Sequence, residues 1–81
     1  MEYDIDKVDE MTLALMFLVS YREDIGTRAW KGFDWETLNR LHEKGLISNP
    51  KGKAKSVVLT EEGSRLSEAL FLKHFAAKQK T

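Results

Sequence analysis

Apolar residues recur at helical spacing near the start of the chain, at Val8, Met11, Leu15, Leu18 and Val19. That pattern predicts a first helix, with Asp4 or Asp6 as its cap and Asp9 and Glu10 in its first turn. Leu13, Met16 and Phe17 fall on other faces of it. A helix that is apolar on more than one side must be covered on more than one side, by its own chain or by a second copy. The pattern breaks after Arg22. Glu23, Asp24, Gly26 and Thr27 read as a turn, and Arg28-Ala29-Trp30-Lys31 as one short helical turn closed by Gly32.

A second helical period follows in Trp35, Leu38 and Leu41, three residues expected to face the core. Asp34 is its candidate cap, and Phe33 and Leu38 have the spacing of a hydrophobic staple. Gly45 can take the left-handed conformation that ends a helix, and Lys44 suits its negative end. The period then changes. Leu46-Ile47-Ser48 and Ser56-Val57-Val58-Leu59 read as two strands around the turn-rich segment Asn49 to Lys55. Thr60-Glu61-Glu62 opens a last helix, with Leu66, Ala69, Leu70, Leu72 and Phe75 as its apolar surface. The expected architecture is one α+β domain over residues 1–81, mostly helical, with a two-stranded hairpin and frayed ends at 1–5 and 78–81.

Composition bounds this picture. The chain has 81 residues, 42% hydrophobic and 32% charged, which marks a small globular domain rather than a disordered one. It has no cysteine, so neither disulfides nor thiolate metal sites reinforce it. Net charge is +0 but unevenly placed. Residues 1–40 hold five Lys/Arg against nine Asp/Glu, and residues 41–81 hold eight against four. The acidic N-terminus is wrong for a signal peptide. The run Leu13 to Val19 is too short to cross a bilayer. The expectation is a cytoplasmic protein with no membrane partner.

Candidate chemistry is sparse. His42 and His74 are the only histidines, and they lack the neighbours of a metal or catalytic site. No enzyme activity and no cofactor are expected. Lys51, Lys53 and Lys55 stand at the hairpin tip, where they can hold phosphates or simply keep an exposed edge solvated. Thr37, Asn39 and Arg40 can read base edges, or can form a plain solvated face. Trp30, Phe33 and Trp35 cluster in sequence, either as core filling or as a protein-binding patch. Leu13, Met16, Phe17, Phe71 and Phe75 are candidates for a homodimer contact, with packing inside one chain as the alternative.

The string Leu38-x-x-Leu41-x-x-Lys44-Gly45-Leu46-Ile47, the lysine-rich loop, and Val58-Leu59-Thr60-Glu61-Glu62-Gly63 resemble the core of winged helix-turn-helix regulators of the MarR and PadR types, over residues 34–76. The whole chain also resembles a small bacterial domain family of unknown function. The regulator resemblance implies a winged-helix fold in which Asp34 to Lys44 reads the major groove of double-stranded DNA. Thr37, Asn39, Arg40 and Lys44 would be its contacts, and Lys51, Lys53 and Lys55 would form the wing. The sequence departs from that pattern in three places: the usual polybasic N-terminal arm is absent, and two further differences lie within the motif. The motif's second helix is very short or missing between Asp24 and Gly32, and Asp34 and Glu36 put carboxylates at the groove end of the reading helix. Two functions therefore stand side by side: a transcription-regulator-like DNA-binding module, and a winged-helix module that binds another protein instead.

Overall fold

A computed structural model describes residues 1–24 and 26–77. The tail expected to fray, 78–81, lies outside the described residues. Three helices and a three-stranded antiparallel sheet follow one another as α1 (Ile5–Leu18), β1 (Ser20–Glu23), β2 (Gly26–Trp30), α2 (Trp35–Glu43), β3 (Ser56–Leu59) and α3 (Glu61–Phe75). The fold is α+β.

Each helix begins on a side chain that the sequence supplies. Asp4 accepts from the Lys7 amide at 3.0 Å, Asp34 from the Thr37 amide at 3.1 Å, and Thr60 from the Gly63 amide at 3.0 Å. These bonds satisfy amides that have no partner within the helix. α1 ends at Leu18, short of Arg22, because the chain from Ser20 onward is taken up by a sheet.

The sheet corrects two expectations. The expected two-stranded hairpin is a three-stranded sheet in the order β1-β2-β3. The expected helical turn at Arg28 to Lys31 is strand β2 and its exit. Of the residues expected to form a turn, Glu23 ends β1 and Gly26 and Thr27 open β2, paired across a hairpin. Ser20 pairs with Ala29 and Tyr21 with Arg28, while Ala29 pairs with Val57 and Arg28 with Val58. The alternation that betrays a strand is confined to Ala29, buried, and Trp30, half exposed, which is too short a signal to outvote helical propensity. The arm Leu46 to Ser48 holds β3 by a single bridge, Ile47 to Leu59, supported by the Ser48 amide donating to the Val58 carbonyl at 2.8 Å.

The core lies between the helices and one face of the sheet. Leu13 and Met16 of α1 and Leu38 and Leu41 of α2 meet Leu46, Ile47 and the inward residues Ala29, Val57 and Leu59, with Phe33, Leu66 and Leu70 at the margin. Trp35, expected inside, is 47% exposed, while Phe33 packs against the core. Trp30 is 49% exposed, so neither tryptophan fills the core.

The sequence strings that carried the resemblance form one joint. Gly45 ends α2 at φ 76°, its amide donating to the His42 carbonyl at 2.9 Å while the Leu46 amide reaches the Leu41 carbonyl at 3.0 Å. The Thr60 hydroxyl donates to the Gly45 carbonyl at 2.8 Å, and its amide to Leu46 at 3.0 Å. Gly63 then approaches so closely that a Cβ there would sit 1.9 Å from the Leu46 carbonyl oxygen. The end of α2 and the start of α3 are locked through main-chain atoms.

Candidate nucleic-acid interface

The reading face expected on α2 is turned inward. Thr37 is fully buried, and its hydroxyl donates to Asp34 at 2.9 Å and accepts from Arg40 Nη2 at 3.0 Å. Arg40 forks onto Asp9 of α1, with Nε at 2.9 and 3.0 Å from the two carboxylate oxygens and Nη2 at 2.8 Å from Oδ1. Lys44 Nζ reaches Asp9 Oδ2 at 2.8 Å. Asp9 is only 2% exposed. Burial pushes its carboxyl pKa up, but the hydrogen bonds from Arg40 and Lys44 outweigh burial and hold it below the ordinary value. The same hydrogen bond raises the Arg40 pKa above its usual value. Arg40 and Lys44 thus tie α2 to α1, Thr37 steadies Arg40, and Asn39 is half-buried. The exposed face of α2 carries Trp35, Glu36, His42 and Glu43, a poor surface for phosphates.

The lysine loop is a different case. Lys51, Lys53 and Lys55 are exposed, and among the described residues none lies within ion-pair distance of an acid. The loop holding them is pinned. Pro50 is buried, and Asn49 accepts from the Lys51 amide at 3.0 Å. The Lys31 ammonium donates to the carbonyls of Pro50 at 2.7 Å and Gly52 at 3.1 Å, while its amide donates to Lys55 at 3.1 Å. Lys31 therefore belongs to the same basic end of the molecule. Sequence reasoning missed it because its contacts lie roughly twenty residues away along the chain.

The residues proposed for a dimer contact separate into two groups. Leu13 and Met16 are buried in the core of the single chain, so they have no free surface to offer. Phe17 and Phe71 are half-buried against each other, ring centroids 5.2 Å apart, and Phe75 continues the row 5.3 Å from Phe71 with 42% of its surface open. Beside them His74 Nε2 meets Glu10 at 3.2 Å.

A cleft of about 200 Å³ opens next to Asp9, lined by Asp6, Glu10, Lys44 and apolar residues of α1, α2 and α3. Of its charges, Asp9 and Lys44 engage each other and Glu10 meets Lys7 and His74, and no group of three His, Cys, Asp or Glu that could hold a metal occurs among the described residues. No helix among the described residues is long and apolar enough to cross a membrane.

No solved structure matches the chain. It is 55% identical over 75 residues to the uncharacterised protein y4hR of Sinorhizobium fredii (strain NBRC 101917 / NGR234), an alignment covering 93% of this chain and 97% of that one. A family profile matches residues 4–77, nearly the whole of the described fold, and by that match the chain belongs to DUF6429, a bacterial domain family of unknown function.

Proposed function

We propose that this domain is a non-catalytic, winged-helix-like nucleic-acid-binding module that grips the phosphate backbone through Lys51, Lys53 and Lys55. The pinned, unpaired lysine loop is the observation that carries the reading. An ordered loop loses little freedom on binding, so its charges act together. Backbone contacts position a protein without reading bases, and three of the four groove-facing candidates, Thr37, Arg40 and Lys44, are engaged by Asp9 or Asp34. The module accordingly binds with little sequence preference.

The test is titration of a short DNA duplex at low and moderate salt. Replacing Lys51, Lys53 and Lys55 together by Gln weakens binding and lowers the slope of log affinity against log salt by about 2 to 3, close to one unit per phosphate contact. Absence of binding at low salt would sink the proposal.

A second reading, a protein-binding module or homodimer, is favoured by the apolar surface left on the helices. Leu18 is 66% and Leu72 55% exposed, and Phe75 is open at the end of its aromatic row. Sedimentation across a concentration range decides the homodimer. Self-association that Phe75→Ser abolishes supports it, and a monomer throughout removes it.

A further inference from the structure

The face of the sheet turned away from the core carries its own arrangement of side chains. Ala29, fully buried, and Val57, 2% exposed, fix which face is inner. Their neighbours along the strands, Arg28, Trp30 and Val58, point outward, and Tyr21 joins them because it lies opposite Arg28. Tyr21 is 47% exposed and Trp30 49%. The helices pack on the inner face, and each of the two rings keeps about half of its surface open.

Three features hold this face ready. Arg28 stands opposite Tyr21 and two residues before Trp30, with Nε donating to the Ser56 hydroxyl at 2.8 Å and Nη2 to the Ser56 carbonyl at 3.2 Å. Trp30 lies over Gly32, where a Cβ would come 2.2 Å from Nε1, so only glycine leaves room for the indole. Lys31, next along from Trp30, joins the lysine loop to that end of the sheet through the carbonyls of Pro50, Gly52 and Lys55. Lys31, Lys51, Lys53 and Lys55 therefore flank the Trp30 end. The acids of this sheet, Glu23 and Asp24, lie at the far end by the hairpin turn.

We infer that the outer face of β1-β2-β3 binds single-stranded nucleic acid, with bases stacked on Tyr21 and Trp30 and the phosphates along Lys31 and the lysine loop. This inference rests on the backbone-binding reading above and names the form of nucleic acid it serves. In a duplex the base faces are covered by one another, whereas a single strand exposes them to flat aromatic side chains. Charge complementarity sets the path. Phosphates gather at the four lysines and avoid the Glu23 end, so the strand crosses the sheet at its Trp30 side.

The experiment uses the full chain carrying Trp35→Phe, which leaves Trp30 as the sole tryptophan. Its fluorescence is titrated with oligo(dT) and oligo(U) of about 12 nucleotides, a length within the site size of comparable sheet surfaces, and with a duplex of equal length. Single strands quench Trp30 and bind more tightly than the duplex, and preference for either sugar supports the proposal. Tyr21→Ala and, followed by anisotropy of a labelled strand, Trp30→Ala each weaken single-strand binding about tenfold and leave duplex binding as it was. Trp30→Phe keeps a stacking ring and retains most of the affinity, which separates stacking from a general loss of fold. Equal affinity for single strand and duplex, with Tyr21→Ala silent, overturns this inference; if the triple lysine variant still weakens both, the backbone reading survives. Binding of neither form at low salt removes both.

Discussion

Asp9 decides what α2 can do. One carboxylate, 31 residues from Arg40 and 35 from Lys44, engages both cations and ties α2 to α1, although Lys44 keeps nearly half of its side chain in solvent. Asp9→Asn leaves two partly solvated cations facing a neutral amide, and the variant is expected to lose about 1 to 2 kcal/mol in urea unfolding. The pH dependence follows from the same group. Its carboxyl ionises more readily in the folded chain than in the unfolded one. Its contribution is therefore complete above the ordinary value of 3.8 and drains away as the pH falls through the lower native value. Urea midpoints measured down that range will fall less steeply for Asp9→Asn than for the parent; parallel curves would show that Asp9 does not titrate as the geometry requires.

At the scale of elements, the helices were legible because their ends are written in side chains. Asp4, Asp34, Thr60 and Gly45 all act locally, within three or four residues of their partners. β1 and β2 were not legible. Their outward face mixes Tyr21, Glu23, Arg28 and Trp30, and Ala29 is the one fully buried residue on the two strands, so no apolar alternation stands out. The candidate site divides along the same line. Exposure of Lys51, Lys53 and Lys55 could be foreseen from the turn residues around them. The engagement of Arg40 and Lys44 could not, because Asp9 reads locally as one more acid near a helix start. Gly45 and Gly63 act for different reasons, and substitution separates them. Gly45→Ala meets open space but keeps a left-handed backbone, a cost of about 1 kcal/mol. Gly63→Ala drives a methyl into the Leu46 carbonyl, and the helix must shift, at about 2 to 3 kcal/mol. Thermal unfolding that ranks Gly45→Ala as the more damaging would contradict the joint described above.

Over the whole molecule, the acidic first half and basic second half are partly consumed by folding. Asp9 with Arg40 and Lys44, and Glu10 with His74, join α1 to α2 and α3. Among the charges left over, Lys31, Lys51, Lys53 and Lys55 gather at the Trp30 end of the sheet, Glu23 and Asp24 stand at the β1-β2 turn, Glu36 and Glu43 on the open side of α2, and Glu61, Glu62 and Glu68 along α3. β1 is the uncovered edge of the sheet, and Arg22 and Glu23 guard it against pairing with other chains.

Because Thr60 and Gly63 bolt the beginning of α3 onto Leu46, and Ile47 bridges Leu59, the loop from Asn49 to Lys55 leaves and re-enters the core at neighbouring places. Its two feet are anchored independently of whatever lies between them. A few Gly-Ser residues spliced after Gly52 should then change the melting temperature little, since each doubling of a flexible loop costs only about 0.6 kcal/mol. Such an extension would spread the lysines apart without unseating the scaffold, so the reach of the basic loop could be tuned as a tether while the helices beneath it stay as they are.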